Sequence, residues 1–140
     1  MIRIRQIEVN ALIFNQYDNG ISEIIYQESS ERAVEGFFYF IDMVIKEAHA
    51  QQTIYWLNDL SRTEQLPLAD YYAKIVKLNT KYPLGQRPPI RFADIHAELT
   101  EQRRMVLAYM RLLKLPGLKL NMFSSDQRQE AISWLLRGRP

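Results

Sequence analysis

Residues 53–60, Thr53-Ile54-Tyr55-Trp56-Leu57-Asn58-Asp59-Leu60, are a short, largely apolar run that breaks into polar residues. Such a run reads as a strand. A helical stretch lies on each side of it. Upstream, Ser29 or Ser30 caps a helix with Glu31 in its first turn, running to about Gln51. Downstream, Pro67 suits the first position of a helix that runs to about Tyr82.

The same alternation continues toward the carboxyl end. Pro83, Gly85, Pro88 and Pro89 form a stiff loop, and residues 90–97 (IRFADIHA) read as a strand. Thr100 caps a helix that ends near Pro116-Gly117. Residues 118–123 (LKLNMF) alternate cleanly, and Ser124 or Ser125 caps a last helix ending at Gly138. Toward the amino end, residues 3–14 (RIRQIEVNALIF) are β-rich, with Ile4, Ile7, Val9, Ala11 and Ile13 apolar. Asp18-Asn19-Gly20 follows. Asn-Gly is a strong hairpin signal, because both residues tolerate positive φ, and Ile21 to Gln27 reads as the second strand. The order ββαβαβαβα predicts an α/β fold. An opening β-hairpin joins a mixed sheet through right-handed βαβ crossovers, with helices covering it. Residues 1–140 read as a single domain, with no repeat and no long linker.

The chain is 47% hydrophobic and 24% charged, the balance of a globular domain with enough apolar material for a core. With no cysteine, disulfides, thiolate metal sites and Cys nucleophiles are excluded. No apolar run has the length of a membrane span. Met1-Ile2-Arg3-Ile4-Arg5 alternates apolar and basic residues, unlike a signal-peptide core, so a cytoplasmic address is expected.

The net charge of +2 hides an asymmetry. Residues 1–70 hold eleven acidic and five basic side chains, a balance of −6; residues 71–140 hold five and thirteen, a balance of +8. Either the halves attract one another, within the fold or between copies, or the second half meets an anionic partner.

The first helix is apolar on two sides. Val34, Phe37, Phe38, Ile41, Val44, Ile45 and Ala48 make one stripe; Gly36, Tyr39, Phe40 and Met43 lie roughly opposite. Tyr39, Phe40 and Met43 are therefore the candidate dimer interface, unless a neighbouring helix or the long loop covers them. Lys74, Lys77 and Lys81 share a side of the second helix, and Arg103, Arg104, Arg111 and Lys114 decorate the third. With no nucleic-acid motif beside them, these read as a solvated face.

Chemistry is sparse. There is no Walker loop and no Gly-x-Gly-x-x-Gly, and no cofactor is expected. His49 and His96 stand alone, so no metal site is expected. Ligands of open α/β sheets bind beyond the carboxyl ends of parallel strands. Those ends carry Asn58, Asp59, Ser61 and Arg62, then Asp94 and His96, then Ser124 and Ser125. Asp59, His96 and Ser61 could be read as a triad, but Ser61 lacks a nucleophile-elbow context. Asp59 and Ser61 read instead as a tied turn, and no catalytic residue is expected.

Tyr55-Trp56-Leu57-Asn58-Asp59-Leu60-Ser61 looks like an apolar strand ending in Asp-Leu-Ser. Met122-Phe123-Ser124-Ser125, followed by Glu130-Ala131-Ile132-Ser133-Trp134-Leu135, looks like an ending of Phe, a short polar link and Glu-Ala-x-x-Trp-Leu. With the order of elements, these motifs resemble the STAS-like family of bacterial anti-sigma-factor antagonists, and more closely its diverged sporulation-antagonist-like branch. The resemblance spans nearly the whole chain. It implies a non-enzymatic, regulatory protein-interaction module, often switched by phosphorylation of a Ser at the start of the second helix. Here that region is Gln65-Leu66-Pro67-Leu68-Ala69-Asp70, with no Ser or Thr at the switch position. The partner-facing surface it implies is Asp59, Ser61, Arg62 and Thr63 with the start of that helix, and the expected partners are a protein or a second copy. The alternative is a small-molecule or lipid-binding carrier, with Phe37, Phe38, Trp56, Tyr71 and Tyr72 lining an apolar pocket.

Overall fold

The computed structural model describes the chain except residues 10, 29, 50, 51, 64–67, 84 and 138–140, and of residues 68–71 the backbone alone. Three strands open it: β1 (Arg3–Val9), β2 (Leu12–Tyr17) and β3 (Ile21–Tyr26). Alternation follows: α1 (Glu31–Glu47), β4 (Ile54–Leu60), α2 (Leu68–Lys81), β5 (Ile90–His96), α3 (Glu101–Leu112), β6 (Leu118–Ser124). A 3-10 turn, Ser125–Gln127, leads into α4 (Arg128–Leu136). The order is thus βββαβαβαβα.

The β-rich run at residues 3–14 is two strands rather than one. The chain reverses between Val9 and Leu12, which face each other as the last pair of the β1–β2 ladder. The reversal shifts the phase of the alternation. Leu12 and Phe14 are fully buried, while Ile13 is only half-buried. The Asn-Gly turn joins β2 to β3, with Gly20 at φ 87° and Asn19 Oδ1 accepting from the Ile21 amide at 3.1 Å.

The six strands stand in chain order, β1-β2-β3-β4-β5-β6. The first two pairings are antiparallel and the other three parallel. Three successive crossovers of one hand put α1, α2 and α3 on one face. The core there holds Phe14, Phe37, Phe40, Trp56, Ile75 and Phe92. Alone, α4 crosses to the other face, where Ala131, Ile132 and Leu135 pack on Ile21, Tyr55, Leu57 and Ile95. Ser30 and Thr100 cap α1 and α3 by accepting from the amides of Ala33 and Arg103. The first helix, expected to run to about Gln51, ends at Glu47, where Ala48 turns extended; the helix end expected at Gly138 and the start at Pro67 lie outside the described residues.

The two-sided apolarity of α1 is resolved within the chain. Strands β1 and β2 extend the sheet beyond β3, and α1 lies across them as well. A Cβ on Gly36 would stand 2.6 Å from Leu12 Cδ1, so any larger residue here must displace the Leu12 side chain. Phe40 stacks flat on Phe14, with centroids 4.7 Å apart, and is fully buried. Met43 is half-buried, its sulfur 3.5 Å from the Arg5 guanidinium, which also pairs with Glu47. Of the expected dimer surface, Tyr39 alone is exposed, at 61%. Phe40 is core, because the shift of phase turns Phe14 of β2 inward against it.

Candidate functional site

The partner-facing turn forms at the carboxyl end of β4, but most of it faces inward. Asp59 Oδ1 accepts from the Ser61 amide at 3.0 Å and from Ser61 Oγ at 2.5 Å. Thr63 is buried and donates its hydroxyl to the Leu60 carbonyl at 3.0 Å. Arg62 is the exposed member of the four. The stretch Gln65–Pro67 lies outside the described residues, and so do the side chains of Leu68, Ala69, Asp70 and Tyr71.

The period of two along a strand separates the triad candidates. Asp59 pairs in register with Ile95, on the α4 side, whereas His96 pairs with Leu60, on the α1–α3 side. Asp59 and His96 therefore point to opposite faces of the sheet, and no Ser61–His96–Asp59 relay can form.

On the α1–α3 side the strand ends carry a buried polar chain. Trp56 Nε1 donates to Asn58 Oδ1 at 2.7 Å, Asn58 Nδ2 to Asp94 Oδ1 at 2.8 Å, and the Tyr72 hydroxyl to Asp94 Oδ2 at 2.7 Å. Burial pushes the Asp94 carboxyl up to about 6, against the pull of its two donors. Burial, with the nearby Asp94, holds the Tyr72 hydroxyl well above its ordinary value. Next along β5, burial and the Arg103 charge depress the His96 imidazole to about 4, and its Nε2 has no hydrogen-bond partner among the described residues.

On the α4 side a second network crosses four strands. Gln6 Nε2 donates to Asn15 Oδ1, and Asn15 Nδ2 to Glu23 Oε1, both at 3.0 Å; the Tyr17 hydroxyl donates to Glu23 Oε1 at 2.7 Å. Arg128, the first residue of α4, pairs with the buried Glu23 and reaches Asp59 at 3.9 Å. Burial and then Glu23 push the Tyr17 hydroxyl up to about 12. Sequence reading missed this network, since Glu23 and Arg128 are 105 positions apart.

Because strand order follows chain order, the charge asymmetry along the sequence becomes a spatial one. Acidic residues gather at the β1–β4 side and basic residues at the β5–β6 side. Part of the imbalance is met inside the fold, through Arg128 on Glu23 and Asp59 and through Lys81 on Asp42 at 3.2 Å. Lysines 74, 77 and 81 flank a groove of about 280 Å³ between α1 and α2, with Glu35 and Asp42 on its far wall.

The outer face of α3 is the surface that sequence reading overlooked. Met105, Tyr109 and Leu112 recur at i, i+4 and i+7 and are 66%, 61% and 77% exposed. At 100° per residue they share one stripe, with Arg104 and Arg111 along one flank. The signal was present as a second apolar stripe beside the buried one of Val106, Leu107 and Met110. Of the aromatics expected around an apolar pocket, Phe37 meets Trp56 edge-on at 5.6 Å and Phe38 at 5.0 Å, Phe38 also lines the groove between α1 and α2, and the Tyr71 side chain lies outside the described residues.

Among the described residues no group of acidic or His side chains could hold a metal ion, and no helix is long and apolar enough to cross a membrane. The chain has a SpoIIAA-like, STAS-like α/β fold. It is similar to the crystal structure of an uncharacterized DUF3478-family protein from Shewanella loihica PV-4, which is itself described as having a SpoIIAA-like fold. The TM-score is 0.59 over 92% of this chain and 98% of that one, at 16% sequence identity. No protein-family model matches the sequence, and no curated protein does.

Proposed function

We propose that this chain is a non-enzymatic protein-interaction module of regulatory type, and that α3 rather than α1 presents its contact surface. The exposed stripe of Met105, Tyr109 and Leu112 carries the reading. Contiguous apolar side chains on a solvent face are uncommon on a monomer and mark contact sites. Met and Tyr anchors with Arg at the edge have the composition of an interface. The flanking Arg104 and Arg111 favour an acidic partner over a second α3, whose own cations would repel them.

In-cell crosslinking followed by mass spectrometry tests the reading, with wild type compared against a Met105→Asp, Leu112→Asp double variant. Crosslinks through α3 to one other protein, lost in the variant while its circular dichroism is unchanged, support it. Crosslinks that survive the double variant but vanish with Arg62→Glu transfer the contact to the strand-end turn. A small molecule retained in native mass spectra, with no protein crosslink, replaces the module with the carrier reading.

A further inference from the structure

Beyond this contact surface, the amino-terminal ends of β4, β5 and β6 hold an unusual concentration of positive charge. Register places Tyr55, Arg91 and Lys119 side by side on the face that α4 covers. The Arg91 guanidinium lies 4.0 Å over the Trp134 ring and donates through Nη2 to the Trp134 carbonyl at 2.8 Å. Arg137 follows the end of α4. Between them opens a hollow of about 380 Å³, walled by Thr53, Pro89, Arg91, Gly117, Lys119 and Arg137. Among the described residues three cations line it and no carboxylate does.

Two further observations bear on how this charge is met. Arg91 Nε is buried and has no hydrogen-bond partner among the described residues, although buried donors are ordinarily paired. Burial holds the Arg91 guanidinium below its ordinary value, opposed by Tyr55 and aided to a smaller degree by the Arg137 charge. The carboxyl end of α4, with its partial negative charge, accepts one bond from Arg91 and suits Arg137 at its cap, but among the described residues no carboxylate lines the hollow beside Lys119. The hollow is within the size range of small-molecule sites. It adjoins a second one of about 270 Å³, which shares Leu115, Leu118 and Lys119 with it and has Trp134 on its wall.

We propose that this hollow is an anion-binding site for a phosphate monoester with an apolar body. The phosphate oxygens sit among Arg91, Lys119 and Arg137; the body lies along Leu118 toward Trp134. Arginine favours phosphate for its fixed fork of donors, and several acceptor oxygens answer several cations at once. The site lies at the opposite end of the sheet from the carboxyl-terminal crevice that open α/β folds ordinarily use.

Phenyl phosphate is the probe, followed by ¹H–¹⁵N NMR at Arg91 Nε and Trp134 Nε1. Saturable shifts at both resonances, absent with phenol and abolished in a Lys119→Glu, Arg137→Glu variant of unchanged circular dichroism, are expected. Vesicles containing phosphatidic acid form a second arm. Variant-sensitive binding to them without binding of free phenyl phosphate assigns the same phosphate monoester to a lipid headgroup. Shifts that do not saturate, or that persist in the variant, overturn the site. Equal binding of benzoate overturns the choice of phosphate.

Discussion

Tyr72 donates its hydroxyl to Asp94 across 2.7 Å inside the core, and the next inward-facing residue on β5 is His96. The two titrating neighbours act in opposite senses. Asp94 is raised from 3.8 to about 6 on folding, so the native state binds more protons and stability falls as pH rises through that window. His96 is lowered from 6.5 to about 4, so the native state binds fewer and stability rises over nearly the same window. Each amounts to about 3 kcal/mol at full extent. Asp94→Asn should therefore leave a stability profile that climbs between about pH 4 and about pH 6, and His96→Gln one that falls. Urea midpoints across that range check the signs; an Asp94→Asn profile identical to wild type contradicts the assignment.

Adjacent aromatics on α1 should behave as different materials. Phe40→Ala removes a ring buried against Phe14 and should cost about 3–5 kcal/mol. Tyr39→Ala, one position earlier and exposed, should stay within about 0.5 kcal/mol. Chemical denaturation separates the two, and a costly Tyr39→Ala would mean that a second chain covers it.

Removing Arg128 leaves the Glu23 carboxylate buried with only the Asn15 and Tyr17 donors. Arg128→Met should cost about 1–3 kcal/mol. Glu23→Gln in the same chain should recover part of that, because no buried charge then remains. A double-mutant cycle measures the recovery; strict additivity would show that the pair is uncoupled.

Arg87 is fully buried and donates to the carbonyls of Tyr82, Pro88, Pro116 and Gly117 at 2.7–3.1 Å, joining the α2–β5 loop to the α3–β6 loop. Lysine has the charge but not the planar fork, so Arg87→Lys should cost about 2 kcal/mol or more. Hydrogen exchange localises the effect: the amide of Ile90, bonded to the Gly117 carbonyl, should lose protection before those of β2.

Local chemistry was legible in the sequence, and long-range cover was not. The Asn19-Gly20 turn, the caps at Ser30 and Thr100, and the four strand–helix alternations all depend on residues a few positions apart. The reversal after Val9 carries no glycine, and apolar residues on both sides of it hide the change of phase. That single reversal turned Phe14 inward against Phe40, so an error in the first dozen residues moved a surface on α1. Asp59 and Ser61 were rightly read as a tied turn. The α3 stripe was passed over because its arginines drew the reading toward a solvated face.

The strand order has a consequence for how the chain acquires its structure. Each of β2 to β6 pairs with the strand synthesised just before it, so no ladder waits for a distant segment. A chain emerging from its amino end can add one strand at a time, although each of the three parallel pairings waits for a whole crossover helix and is slow for that reason. The exception is α4, made last, whose Arg128 reaches back to Glu23 on β3. Until it docks, the second face of the sheet stays bare, and truncation before Arg128 should therefore yield a chain that collapses on one side and aggregates through the other.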